Sequence, residues 1–164
     1  MRYENVREFS DVLKEISSIL DAYSYMYALI PAELTFSLRH ILSAFIHSFR
    51  SLRRGSKVRD PNIEFLRYYF GAKQIRDIKE TLRRIASREF VCIAYGDGKR
   101  VVEELRRHVS GGHVLEDIIG GNYDVKRLSK VFNVNITAFD RGEGEIKALE
   151  LGVLERVASL DIRK

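Results

Sequence analysis

Four histidines, one cysteine and a glycine-bracketed lysine carry this chain's range for catalysis or metal binding. His40 and His47 stand seven apart on one helical stretch, whereas a helix that grips a metal places its ligands at i and i+4. His108 and His113 flank a glycine pair. With Glu103 they are the one set from which a small metal enzyme could be assembled, but no acidic ligand sits at supporting spacing. Gly96-Asp97-Gly98-Lys99 has the composition of a phosphate loop without its spacing or its Ser/Thr, so it reads as a turn between strand and helix. Cys92 lies between Val91 and Ile93 and reads as a small buried hydrophobe. Being alone, it forms no internal disulfide and no multi-cysteine zinc site. Glu103 and Glu104 precede Arg106 and Arg107 at ion-pairing helical spacing. No serine sits in a nucleophile elbow, and no carboxylate pair stands apart from a charged helix face. The pattern points to binding: no catalytic residue, no metal and no cofactor are expected.

The charge says what kind of binding. The net charge is +5 over 164 residues. Residues 1–49 hold four basic and six acidic side chains, and residues 89–164 hold twelve and thirteen. The 39 residues from Arg50 to Arg88 hold twelve basic and only four acidic ones, so the positive excess lies in one quarter of the chain. Twelve against four cannot pair off, and a local field of that sign suits a polyanion. No apolar run reaches the roughly 18 residues of a membrane span. The N-terminus is amphipathic where a secretory leader would be apolar, so a cytoplasmic protein without a membrane is expected.

The elements that must position these residues follow from periodicity. Val6, Phe9, Leu13, Ile16 and Leu20 predict a helix over about 5–20, and Tyr23 to Ile30 predicts a strand closed by Pro31. A long helix over 34–54 is expected to turn Leu34, Leu38, Ile41, Leu42, Phe45, Phe49 and Leu52 toward the core. Phe36, His40, Ser43, His47, Arg50 and Arg54 fall on its opposite side. Asp60-Pro61 opens a further helix that stops at Gly71. Ile75, Ile78, Leu82 and Ile85 mark the next. Phe90 onward predicts a second strand, Lys99–His108 a helix, residues 111–121 a glycine-bounded connector, Tyr123–Phe132 a short helix and Ala148–Ile162 a last one. The expectation is one α+β domain over residues 1–164, a small mixed β-sheet packed with several helices.

Two regions fit a binding role. Around the break at Gly71, the cations Arg59, Arg67, Lys73 and Arg76 would anchor phosphate. Gln74 would read a base edge, and Ile75 or Phe70 would support a splayed base beside the free N–H groups of a helix start. The last helix is apolar on two sides, with Leu149, Val153, Val157 and Leu160 opposite Leu151, Leu154, Ala158 and Ile162. Such a helix either lies between layers or lends a face to another protein.

Residues 63–75, IEFLRYYFGAKQI, resemble the E-x-L-x-Y-x-x-G-x-R-Q-I signature of the smallest subunit of the KEOPS complex, the PRPK-binding (TPRKB-like) family, in its archaeal form. ALIPAELTFSLRHILSAF, SGGHVLEDI and LGVLERVASLDI fit the same outline in the same order, so the resemblance covers about residues 23–164. It implies a non-catalytic subunit of the complex that makes threonylcarbamoyladenosine in tRNA. Such a subunit binds the complex's atypical kinase/ATPase and captures tRNA by its CCA tail. Lys73, Gln74 and Ile75 fall on the stretch linked to that capture, and the C-terminal helix, with Leu151, Leu154, Ala158 and Ile162, on the kinase-facing side. Lys73 stands where the family has Arg, which gives up a planar fork for a point charge. Phe70 stands where a small residue is common. A free-standing RNA- or DNA-binding module and a pure protein-interaction scaffold are the alternatives.

Overall fold

A computed structural model describes residues 6–83, 85, 89–108 and 123–162. The first amphipathic stretch forms α1 (Val6–Tyr23), which runs directly into β1 (Ser24–Pro31). β2 (Phe90–Gly96) pairs with β1 antiparallel, placing Leu29 opposite Cys92 and Tyr27 opposite Ala94. The expected small mixed sheet is thus a two-stranded antiparallel one among the described residues. Pro31 ends the strand, and the Ala32 N–H extends the pairing by donating to the Glu89 carbonyl at 2.9 Å. α5 (Gly98–His108) packs against α1. Ile16, Leu20 and Val101 form a buried core there, with Tyr27, Leu29, Cys92 and Leu105 against it. These four elements make one compact unit; the remaining helices make a second.

In the second unit α2 (Leu38–Arg53) starts four residues later than periodicity predicts. Residues Ala32–Leu34 turn as a short 3-10 helix instead. Ser37 is extended, and its side-chain oxygen accepts the His40 N–H at 3.1 Å, so a serine cap decides the boundary. Gly55 ends α2 at φ +77°. Asp60 caps α3 (Pro61–Tyr69) by accepting from Asn62 N–H at 2.9 Å, with Pro61 at the first helical position. α4 (Ile75–Arg83), α6 (Val125–Phe132) and α7 (Glu145–Ile162) complete the unit. The core is aromatic: Phe36, Tyr69 and Phe132 contact His40 with ring centroids 4.3–5.6 Å away, and Phe65 and Phe70 pack on Tyr69 behind them.

The inward face of α2 is the expected one only in part: Leu34, just before it, and Ile41 are buried and Phe45 packs on Phe65, but the face is rotated. His40, Ile41, Ala44, Ser48 and Ser51 are buried, while Leu38, Leu42 and Ile46 are 54%, 51% and 50% exposed. Phe36 and His40, expected on the outer, basic side, lie in the core. Small side chains let α2 approach its neighbours closely. Buried polar groups of α2 find partners inside, His40 Nε2 bonding the Tyr69 carbonyl at 2.7 Å and Ser48 Oγ donating to the Ala44 carbonyl at 2.8 Å, while His40 Nδ1 is buried without one.

Candidate functional site

α3 stops because Gly71 takes a left-handed backbone, φ +58°, that an L side chain adopts only at a cost of about 1–2 kcal/mol. The chain then crosses Ala72, Lys73 and Gln74 before α4 begins. α6 ends in the same way at Asn133, φ 50° and ψ 52°. Arg156 of α7 joins the two reversals, its Nη2 donating to the Gly71 carbonyl at 3.1 Å and its Nη1 to the Asn133 carbonyl at 3.3 Å. Opposite them a close approach is made by Gly152, where a Cβ would fall 2.2 Å from Val134 Cγ1.

Between these elements lies an open cleft of about 670 Å³, within the usual size of ligand sites. Phe70 to Gln74, with Asp77, Ile78 and Thr81 of α4, form one side; Asn133 to Asn135 and the Glu155, Arg156 and Ser159 face of α7 form the other. A cation, an amide and aromatic surface thus share one concave surface, able to take a phosphate and a planar base together.

The opposite side of α7 makes a different surface. Leu149, Val153 and Val157 are buried, Leu151 and Leu154 half-buried, Ala158 exposed and Ile162 83% exposed. α7 runs parallel to α2, since Ser37 Oγ donates to Glu150 at 2.5 Å near the start of both and His47 Nδ1 meets Asp161 at 2.7 Å near their ends. Tyr68 of α3 donates to the other Asp161 oxygen at 2.5 Å. Burial, with the Asp161 carboxylate beside it, pushes the Tyr68 hydroxyl up to about 12, so it stays a donor. At the other end, burial alone would raise the Glu150 carboxyl. Hydrogen bonds from Lys147 and Ser37, with the charges of Lys147 and Arg39, outweigh burial and lower it, so Glu150 stays ionised. Polar anchors at both ends hold the helices as a pair, with Leu38, Leu42 and Ile46 turned outward on α2 and Leu151, Leu154, Ala158 and Ile162 on α7.

The residues singled out in the sequence separate into groups. Lys73 and Gln74 line the cleft. Ile75 and Arg76 open α4 just beyond it, Ile75 half-buried and Arg76 exposed. Arg59 is exposed before α3. Arg67 is engaged: its Nη1 bonds Glu64 at 2.5 Å, and that carboxylate is fully buried. His113 and the connector of residues 111–121 lie outside the described residues, as does the side chain of His108. Among the described residues no three His, Cys, Asp or Glu side chains stand close enough to hold a metal ion, and no helix is long and apolar enough to cross a membrane.

Sequence reasoning missed Arg156, Asn133 and the outward leucines of α2. The last had a signal in the small and polar Ala44, Ser48 and Ser51, which recur on the other side of the same helix and mark close helix contact. Arg156 had none, because its partners are backbone carbonyls 23 and 85 residues away.

The model of one protein family, the kinase binding protein CGI-121, matches residues 3–161. No curated protein and no solved structure matches the chain.

Proposed function

The chain belongs to the CGI-121 family of kinase binding proteins, and from that we propose that it is the small accessory subunit of a KEOPS complex, of the archaeal type that bridges the kinase subunit and tRNA. Its role is binding, without a reaction of its own. One face of α7 lines the cleft that holds Lys73 and Gln74; another face, with α2, presents an apolar surface. This division of one helix between two surfaces is the observation that carries the reading.

The kinase/ATPase subunit docks on Leu38, Leu42, Ile46, Leu151, Leu154, Ala158 and Ile162, where half-exposed aliphatic side chains gain from leaving water. The CCA tail of tRNA enters the cleft. Lys73 meets a phosphate and Gln74 a base edge, with Ile75 and Arg76 at the start of α4 adding contact and attraction just beyond the cleft. Modification of tRNA to threonylcarbamoyladenosine then proceeds on the catalytic subunit, in the cytoplasm.

Fluorescence anisotropy tests the reading with labelled tRNA, intact and lacking its CCA tail, at two salt concentrations. Strong loss on trimming is expected. Equal binding to both would leave a general polyanion binder, and no binding to either would leave a scaffold that acts through the kinase alone. Ile46→Glu with Ile162→Glu is expected to abolish binding of the purified kinase subunit and to leave tRNA affinity unchanged.

A further inference from the structure

The corner where α2 hands over to α3 carries a charge that neither the cleft nor the apolar face uses. Arg50, Arg53, Arg54, Lys57 and Arg59 are all exposed, and none of them forms an ion pair with another described residue. Asp60 is the one carboxylate between residues 50 and 60, and it is occupied in capping α3. Cations in the last turn of a helix complement its dipole, which accounts for Arg50 and Arg53. Lys57 and Arg59 stand before the N-terminus of α3, where the dipole disfavours positive charge, so helix capping does not account for them.

The corner is also held in shape. Fully buried Glu64 accepts from Ser51 Oγ at 2.5 Å on α2 and from Ser56 Oγ at 2.9 Å in the loop, while Arg67 balances its charge. Ser56 in turn accepts the Val58 N–H at 3.2 Å and donates its own N–H to the Ser51 carbonyl at 3.1 Å. A buried carboxylate thus organises the loop while five cations without an ion-pair partner among the described residues face water, a preorganised surface for an anion.

We propose that this corner is a second phosphate-binding surface, which takes the duplex backbone of the RNA whose single-stranded end occupies the cleft. The proposal rests on the RNA reading given above. α3 separates the two: nine residues, about 13 Å at about 1.5 Å per residue, with the corner at its start and Gly71 at its end. A span of that size is bridged by a few nucleotides, so one RNA can reach both surfaces. A membrane surface is the lesser fit, because the corner offers no exposed large apolar side chain to insert beside its charges.

The test uses the full chain, an RNA hairpin with a single-stranded 3′ tail ending in CCA, the same hairpin without the tail, and the tail alone. Arg53→Gln/Arg54→Gln/Lys57→Gln is expected to weaken tailed-hairpin binding at least about tenfold and to flatten the log–log salt slope by about 2–3. Affinity for the tail alone stays unchanged. A second variant, Lys57→Gln/Arg59→Gln, leaves α2 intact and is expected to show the same pattern with a smaller change in slope. Unchanged hairpin binding and slope in both variants overturn the proposal. Equal weakening for the tail alone overturns it too, since the cations would then serve the end itself. Loss of binding to phosphatidylserine vesicles with hairpin binding intact would assign the corner to a membrane. Should the unsubstituted chain bind tailed and tailless hairpins equally, end capture fails, yet loss of hairpin binding in the variants would still support the corner.

Discussion

Arg156 and Gly71 stand 85 residues apart and fit each other in two ways. The guanidinium donates to the Gly71 carbonyl at 3.1 Å, and the space a Gly71 side chain would fill is the space Arg156 occupies: a Cβ there would lie 3.1 Å from Nε and 3.2 Å from Cβ of Arg156. A positive φ at Gly71 turns the carbonyl toward α7, so the end of α3 and one wall of the cleft are fixed together.

Gly71→Ala is therefore expected to cost more than the about 1–2 kcal/mol of a left-handed alanine. In a urea-unfolding double-mutant cycle, Gly71→Ala and Arg156→Ala should be less than additive, because the second change removes the Nε and Cδ that the new methyl group meets and leaves only the Cβ. Strict additivity would separate the two residues.

His40 predicts an acid-sensitive fold. Burial, opposed by the bond to the Tyr69 carbonyl and the charge of Glu150, lowers its pKa from 6.5 to about 4. Nε2 carries the hydrogen that the carbonyl accepts, Nδ1 is buried without a partner, and the lowered pKa keeps the ring neutral at pH 7. Below pH 6.5 the unfolded chain takes up a proton that the folded chain refuses. Stability is full above pH 6.5 and falls as pH drops toward 4, by about 2 kcal/mol at pH 5 at roughly 1.4 kcal/mol per unit. His40→Phe should flatten this part of a stability–pH curve measured in urea; an unchanged slope would assign it to carboxylates.

Glu64 joins α2, the loop and α3 from a fully buried position. Glu64→Ala strands Arg67 and is expected to cost about 3–5 kcal/mol, while Glu64→Gln keeps an acceptor for the serines and costs less. Equal losses in the two variants, read by chemical denaturation, would show that the serine bonds contribute nothing.

Cys92 packs beside Leu29 and Tyr27 in the first unit, and burial pushes its thiol up to about 11. A thiol reagent at pH 8 should modify it much faster in urea than in the folded protein. Equal rates would mean that the sheet opens locally.

The sequence reading was surest where a single residue type decides a local geometry. Asp60-Pro61, Gly55 and Gly71 mark helix ends by their own chemistry, and the structure has each in that role. Lys73 and Gln74, singled out where a helix break and the charge count coincide, line the cleft. The faces of α2 were legible only in part. Periodicity assigns leucine inward and histidine outward, whereas packing buries His40 among aromatic rings and leaves Leu38, Leu42 and Ile46 on the surface. The signature residues Glu64, Tyr68 and Gly71 likewise hold structure together, through Ser51 and Ser56, Asp161, and Arg156 respectively. Those partners are set by tertiary contact, which no local pattern encodes.

The central claim is that two faces of α7 serve two partners at once. The most direct measurement is analytical ultracentrifugation of fluorescent tRNA with the chain and the purified kinase subunit, using the unsubstituted protein, Ile46→Glu/Ile162→Glu and Lys73→Glu/Gln74→Ala. A ternary species is expected with the unsubstituted chain. The first variant should leave only the chain–tRNA species and the second only the chain–kinase species. If either variant lost both partners while remaining folded, or if tRNA and kinase displaced one another, the two surfaces would not be separate and the bridging account would be wrong.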